Sequence, residues 1–453
     1  MKIRLITLGC PKNIVDSEWI AGGLLQSGAE LLHHEGEADA IIINTCGFIQ
    51  SAKEESIETI LEAVECKKRG EVKKVFITGC LSERYGEALR REIPELDGIY
   101  GNRDLEKIVQ DLAFRLDLRR ELLGERHLLT PSHYAFLKIS EGCEHPCTFC
   151  AIPAIRGAFR SRPMEALIEE ARKQVEHGVK EIILIAQDTT IYGLDLYGEK
   201  RLPELLRRLS RIDGVEWIRL MYAYPFHVTD ELLEVIAETD TICKYVDMPI
   251  QHISNRMLKR MARRMDRKAH ERLIQKMRQL IPGLTLRTSV IVGFPGETED
   301  DFRELMDYVA EGHFDHLGVF TFSPEEGTPA AAFPHQVPEA VKRERQDILI
   351  QIQDDVCETK NREWIGREVR VLVDEFDAAE NVYLARREGD APEIDNCVVL
   401  PQACQKGAFY RVKLVSADAH EFTGEILSKE TAQPLTGKPI RLPVARAEGV
   451  THG

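Results

Sequence analysis

Eleven cysteines are spread through a chain of 453 residues, and six of them fall into two groups of three. One group is local: "CEHPCTFC" sets Cys143, Cys147 and Cys150 within a single short stretch. The other is dispersed: "LGC", "NTC" and "TGC" place Cys10, Cys46 and Cys80 36 and 34 residues apart. Thiolates are soft ligands for zinc and for iron–sulfur clusters, and both kinds of centre ordinarily take four protein ligands. Each triad is therefore one ligand short. Either a fourth ligand lies elsewhere, or an open coordination position is the purpose of the site. A zinc knuckle competes for the local triad, but no histidine or cysteine follows it at finger-like spacing. For the dispersed triad the competing reading is a small buried apolar residue. Three strand-like segments that each end on cysteine argue for a metal site instead.

The elements that must position these thiols are legible in the hydrophobic pattern. "IRLITLGC", "AIIINTC" and "KVFITGC" are short apolar runs separated by amphipathic stretches, as in a parallel α/β sheet. The carboxyl ends of parallel strands share one edge of the sheet, so Cys10, Cys46 and Cys80 are expected to converge there. Residues 1–125 are read as this Rossmann-like α/β domain. Six further β/α repeats, from "AFLKISEGC" to "HLGVFTF", predict a partial (β/α)6 barrel over residues 130–363. Chemistry in such a barrel belongs to the rim at the strands' C-terminal ends, and Cys143 follows the first strand. "AQDTTIYG" ends the second strand and brings Gln187 and Asp188 to the rim. "GFPGET" ends the fifth and brings Gly293 and Glu297, the glycine permitting close backbone approach to a ligand. Phe149 offers an apolar face beside the last cysteine of the local triad. The basic, methionine-dotted segment 255–280 reads as one helix whose methionines are core. A long charged helix then leads to five short alternating strands, a small all-β barrel over residues 364–430, with 431–453 as a tail.

Composition narrows the function classes. A net charge of −15 argues against a surface devoted to nucleic acid. No apolar run approaches the ~18 residues of a membrane span, and "MKIRLITLGC" enters a strand pattern at once rather than a signal-peptide pattern. Cysteines without an export signal suggest a reducing compartment, so a cytoplasmic location is expected.

C-xxx-C-x-aromatic-C at the start of a partial barrel resembles the radical S-adenosylmethionine enzymes. The whole layout, with "LGC", "NTCGF" and "TGC", then "CEHPCTFCAIPAIRG", then a terminal barrel of the TRAM type, is similar to the methylthiotransferases among them. The resemblance implies two 4Fe–4S clusters, on Cys143, Cys147 and Cys150 and on Cys10, Cys46 and Cys80. It also implies S-adenosylmethionine at the open iron of the first, with Phe149, Gln187, Asp188, Gly293 and Glu297 as candidate cofactor contacts. A 5′-deoxyadenosyl radical would open a C–H bond that no general base can, the second cluster would present sulfur, and a second S-adenosylmethionine would supply the methyl group.

Two branches of that family modify either an adenosine in transfer RNA or an aspartate in a small-subunit ribosomal protein. "LGCPKNIVDSE", "DMPIQHIS" and "GDAPEIDNCVV" resemble the protein-modifying branch. Charge points the same way: residues 366–425 hold seven Lys and Arg against twelve Asp and Glu, and seven minus twelve leaves −5. A module gripping phosphates should be basic, whereas an acidic one suits docking to a lysine- and arginine-rich protein. Ribosomal protein uS12, free or in the small subunit, is thus the expected partner, with a reductant such as a flavodoxin and a sulfur donor. A transfer-RNA substrate is the rival reading, and a non-catalytic iron–sulfur carrier or RNA-binding scaffold is the rival from another class. Cys66, Cys243, Cys357, Cys397 and Cys404 lack partner spacing and are read as structural, and His33 and His34 as a solvated loop. Arg156, Arg160 and Arg162 are candidates to orient a cofactor or a substrate carboxylate.

Overall fold

The structure is a computed structural model that describes residues 1–32, 37–116, 118 and 126–430. His33, His34 and the 431–453 tail lie outside the described residues. The first sheet contains β1 (Lys2–Thr7), β2 (Glu30–Leu32), β3 (Ala40–Thr45), β4 (Lys74–Gly79) and β5 (Gly98–Ile99), all parallel, in the order β2-β1-β3-β4-β5. This is the flavodoxin-type variant of the doubly wound fold, whose ligand site lies where the order reverses, between β1 and β3. β3 is buried along its whole length, as a central parallel strand must be. Helices α1 (Pro11–Gln26), α2 (Gln50–Lys68) and α3 (Cys80–Glu92) follow β1, β3 and β4, and α4 (Leu105–Arg115) packs on α1 through Val109 against Gly23.

The second sheet runs through β6 (Tyr134–Lys138), then, past a two-residue-wide hairpin of β7 (Ser140–Glu141) and β8 (Arg160–Ser161), β9 (Glu181–Ile185), β10 (Trp217–Leu220), β11 (Ile242–Asp247), β12 (Thr285–Val292) and β13 (His316–Thr321). Its six strands are parallel and in sequence order from β6 to β13, the curled half of a barrel. The outer face is covered by helices around an apolar core that includes Leu167, Leu205, Ile236 and Leu305. The inner face carries Tyr134, Phe136, Ile183, Ile185, Trp217, Met221 and Tyr245 and is filled from two directions, by Val15 of α1 and by Leu372, Ala391 and Phe409 from the C-terminal barrel.

That barrel is closed, from β14 (Glu368–Asp377), β15 (Val382–Arg387), β16 (Cys397–Leu400), β17 (Phe409–Ala417) and β18 (Glu421–Lys429), so it leaves no unpaired sheet edge. Its β15–β16 connection, the "GDAPEIDN" stretch, plugs the floor of the half barrel. Arg219 donates to the Glu388 carbonyl at 2.7 Å, Asp395 takes Tyr245 and Arg287 at 2.7 and 3.2 Å, and His316 reaches the Gly389 carbonyl at 3.1 Å. Arg386 bridges Glu181 and Asp374, each at 2.7 Å or less. The charge count therefore needs correcting. Arg386, Arg387, Asp374, Asp390 and Asp395 pair inside the molecule and Arg370 pairs with Glu216 of the half barrel, which leaves four basic and nine acidic side chains of the segment outside these pairs, a net −5. The sign of the outer face survives; part of its basis does not.

A second expectation changes shape. Segment 255–280 is two helices, Asn255–Arg260 and Arg267–Leu280, broken where Ala262 takes φ +57°. Met257, Met261 and Met277 are fully buried, as core methionines. Among the described residues no helix is long and apolar enough to cross a membrane.

Candidate functional site

β1, β3 and β4 are neighbours in the sheet; Cys46 and Cys80 directly follow β3 and β4 and Cys10 comes three residues after β1, so the three cysteines stand at one edge. Cys10 is the N-cap of α1 and Cys80 the first residue of α3. The glycines beside them are space requirements. A Cβ on Gly9, itself at φ +91°, would stand 2.7 Å from the Cys46 Cβ and 2.9 Å from its Sγ. One on Gly47 would stand 2.7 Å from the Leu81 backbone nitrogen. Only glycine lets these turns close on one another. The edge is buttressed from below: Asn13 donates to the Leu8 and Thr45 carbonyls at 2.8 and 3.2 Å, and Ser56 Oγ accepts from the Cys46 N–H at 3.0 Å. Around Cys80 Sγ lie Asn102 Nδ2 at 3.4 Å and the Arg156 guanidinium at 3.6 Å.

The second triad follows β6 and β7. The Cys143 N–H donates to the Gly157 carbonyl at 3.1 Å, and the Cys150 N–H to the Cys147 carbonyl at 3.2 Å. Thr148 anchors the loop on the break in segment 255–280, its N–H on the Met261 carbonyl at 3.3 Å and its hydroxyl on the Arg260 carbonyl at 2.9 Å. The same break carries Arg263, whose guanidinium lies 3.7 Å from Cys147 Sγ and stacks over Tyr224 at 4.1 Å. Phe149 is half-buried against Met257, Met261, Phe294 and Phe322, so its ring seats the loop.

Cys80 packs with Ala151, next to Cys150, and with Ile155, so the edge of the first sheet meets the barrel rim at one junction, the mouth, and a buried charged cluster joins the triads there. Arg156 touches Cys80 on one side; its guanidinium pairs with Asp16 of α1 at 3.1 Å and with Glu141 of β7 at 3.0 Å, and donates to Asn13 at 2.7 Å. Lys138, the last residue of β6, pairs with the same two carboxylates. Glu141 also accepts from Gln187 Nε2 at 3.2 Å. Burial opposes ionisation of Glu141, but Lys138 and Arg156 beside it hold its carboxyl well below the usual range. Glu141 is therefore carried as a carboxylate, which only pairing with Lys138 and Arg156 makes affordable in a buried site.

The rim candidates separate into different roles. Gln187 Oε1 is buried with no hydrogen-bond partner among the described residues, an acceptor left for a ligand's donor. Asp188 is fully committed: it accepts from His145 Nε2 at 2.7 Å, His227 Nδ1 at 3.1 Å and the Thr190 N–H at 2.8 Å. Burial works against its charge, and those bonds hold its carboxyl well below the usual range. It positions His145, inside the cysteine loop, and gathers ligand atoms of His145, Asp188 and His227 within 4.8 Å of one another. Glu297 turns inward, paired with Arg345 at 2.6 Å and accepting from the Phe294 N–H at 3.3 Å. The close approach that Gly293 permits is to the protein itself, since a Cβ there would stand 2.3 Å from Lys342 Cγ. His252 of "DMPIQHIS" is buried, its Nδ1 accepting from the Ile253 and Ser254 N–H groups, both at 2.9 Å. Arg162 holds Glu170 and the Lys138 carbonyl, Arg160 is exposed, and Arg156 alone of the three reaches a triad. His145, Glu141, Lys138, Asp16, Asn102 and Arg263 are site residues that the sequence reading passed over. Only His145, placed between two ligand cysteines, carried a signal there.

The thiols suit a metal cluster. Burial pushes Cys143 and Cys80 up to about 11 and Cys150 up to about 12, and raises Cys46 as well. Such thiols keep their protons at neutral pH unless a cation displaces them. Among the described residues neither triad has a fourth cysteine or carboxylate bonded to it, and each has a nearby guanidinium to offset the anionic charge of metal-bound thiolates.

Two cysteine triads at one mouth, the second on the rim of a six-stranded half barrel, define the class as a radical S-adenosylmethionine enzyme. Residues 137–309 match the model of the Radical SAM superfamily, residues 2–101 that of Uncharacterized protein family UPF0004, and residues 365–427 that of the TRAM domain. The ribosomal protein uS12 methylthiotransferase RimO of Desulforamulus reducens is 47% identical over 94% of this chain and 99% of its own length. That of Clostridioides difficile is 47% identical over the same shares. The chain belongs to this family of methylthiotransferases. Solved structures share the fold at lower identity. The radical S-adenosylmethionine methyltransferase TsrM from Kitasatospora setae aligns with a TM-score of 0.55 and 15% identity, over 73% of this chain and 75% of that one. The cobalamin-dependent radical enzyme OxsB aligns at 0.51 and 13%, over 77% and 56%.

Proposed function

We propose that this chain methylthiolates the β-carbon of one aspartate of ribosomal protein uS12, free or in the small subunit. The observation that carries this reading is the opening of both triads onto one mouth, bridged by Arg156, which touches Cys80 and pairs with Glu141 two residues before Cys143. When bound, a 4Fe–4S cluster with S-adenosylmethionine on Cys143, Cys147 and Cys150 supplies a 5′-deoxyadenosyl radical, a second 4Fe–4S cluster on Cys10, Cys46 and Cys80 supplies sulfur, and a second S-adenosylmethionine supplies the methyl group.

The chain's own residues bind, orient and exclude water. Gln187 Oε1 is available to an amino group, and Arg263, beside Cys147, to a carboxylate. Asp188 fixes the ring of His145, which stacks on Tyr224 at 4.0 Å and walls the local triad. The plugged floor leaves the mouth as the way in, so the reacting atoms are kept from bulk water. The acidic outer face of the C-terminal barrel suits a basic ribosomal protein. A reductant such as a flavodoxin, a sulfur donor and a cytoplasmic location complete this reading. It divides the chain into 1–125, 130–363, 364–430 and the 431–453 tail.

The test uses anaerobically reconstituted, reduced protein with S-adenosylmethionine, sulfide and purified uS12 or small subunits. Mass spectrometry is expected to find 5′-deoxyadenosine together with a methylthio group on an aspartate of uS12. A methylthio group on transfer RNA instead would move the chain to the other branch. Neither product, from protein holding both clusters, would favour a carrier.

A further inference from the structure

If that reading holds, two amino-acid carboxylates must be received at this mouth: one from S-adenosylmethionine and one from the target aspartate. Most cations nearby are already taken. Arg156 and Lys138 share Asp16 and Glu141, Arg219 holds Glu181, and Arg287 holds Asp247 and Asp395. Of the cations beside a triad cysteine, Arg263 and Lys12 have no ion pair among the described residues. Arg263 stands on the side of the local triad. Lys12 stands on the side of the dispersed triad.

Lys12 stands in the first turn of α1, two residues after Cys10, and is only 8% exposed. Its ammonium lies over the ring of Tyr222, 3.4 Å from the centroid. Tyr222 follows β10 on the barrel rim, at φ +58°, and is held there by its N–H on Asp247 at 3.1 Å. The side chain of Lys12 thus reaches from the first domain across to the rim of the second. An ammonium taken from water needs an anion or several acceptors; an aromatic face meets that need only in part. The position is one where an incoming carboxylate gains a desolvated cation.

We propose that Lys12 is a specificity-determining residue of the reaction, receiving the carboxylate of the target aspartate. The β-carbon is bonded directly to that carboxylate. Holding the carboxylate on Lys12 therefore fixes the β-carbon beside Cys10 and facing the barrel mouth. A nucleoside base offers no carboxylate for this contact. The inference rests on the proposed uS12 activity.

The test is a double-mutant cycle on reconstituted enzyme with S-adenosylmethionine, crossing Lys12→Met with a uS12 whose target aspartate is replaced by alanine. Variants are compared at matched iron content, which sets misfolded protein aside. Against unaltered uS12, Lys12→Met is expected to raise Kd and KM by roughly 10- to 100-fold, the range of a charge-assisted hydrogen bond. Lys12→Arg is expected to recover most of that loss. Against the alanine-substituted uS12, wild type and Lys12→Met should bind alike. Equal weakening toward both forms of uS12 would overturn the proposal, because Lys12 would then serve the fold or the charge of the metal centre. Unchanged binding of both would overturn it as well. Failure of the underlying activity is distinct: wild-type enzyme would then leave uS12 unmodified before any variant is compared.

Discussion

The 143–150 loop gathers three sulfurs within eight residues, whereas Cys10, Cys46 and Cys80 are gathered over seventy residues by three adjacent strands. The first triad depends on local turns and on braces from outside the loop: the helix break at Met261 that takes the Thr148 N–H, Asp188 on His145, and the apolar pocket that seats Phe149. The second depends on sheet register: Asn44 pairs with Thr7 and Thr78, which brings the following cysteines level. One arrangement is a flexible wrapping made rigid by its neighbours, and the other is a rigid edge made possible by small residues. A ligand set can thus be built by chain proximity or by topology, and the two should fail in different ways.

The largest expected effect separates the two triads by product. Cys150→Ala should abolish both 5′-deoxyadenosine formation and methylthiolation, a loss of more than about 10³-fold in each, while Cys46→Ala should abolish only methylthiolation and keep S-adenosylmethionine cleavage. Quantifying both products by mass spectrometry checks this. If Cys46→Ala also stopped cleavage, the two triads would not be separable functions.

Next in size is the cluster that joins them. Arg156 is buried and holds Asp16 and Glu141, so Arg156→Met leaves two buried carboxylates with Lys138 as the one cation still paired to both among the described residues. A loss of about 3–5 kcal/mol is expected for breaking such a buried pairing. Arg263→Met removes a stack on Tyr224 and a bond to the Pro249 carbonyl, with no ion pair, and should cost about 1 kcal/mol. Denaturant unfolding of the two variants measures the difference. Equal losses would mean that the join contributes no more than the local loop does.

An effect smaller than that of Arg156→Met tests the glycine rule at the dispersed triad. Gly9→Ala meets both an unfavourable φ and the Cys46 side chain, and should destabilise by about 1–3 kcal/mol. Its second signature is the loss of roughly half the bound iron, with iron at the local triad retained. Full iron content in Gly9→Ala would show that the strand edge is more pliable than the local loop.

The strands and the cysteines at their ends were open to reading because alternation and β-branched runs are local signals. The helix break at 261–266 was not, since methionine and arginine are good helix formers and only the contacts with the cysteine loop reward a left-handed Ala262. The same limit applied to Glu297 and Gly293, read as ligand contacts from their place at a strand end. Arg345 and Lys342 occupy them, and both come from a helix some fifty residues further on. The acidic residues of "GDAPEIDN" entered the charge count of the barrel; Asp395 pairs with Arg287 and Asp390 with His316 inside the half barrel.

From its sequence alone the chain determined the two triads, the order of its α/β, half-barrel and all-β regions, and the thiolate chemistry they imply, because ligand type and strand pattern are written in short stretches. Tertiary structure decided which charges remain free to act. Arg156, Lys138 and Arg287 look like Lys12 in the sequence, and their difference is the carboxylate that folding brings, or does not bring, within reach. Pairing in a buried site is a property of distance, and distance between remote residues exists only in the fold.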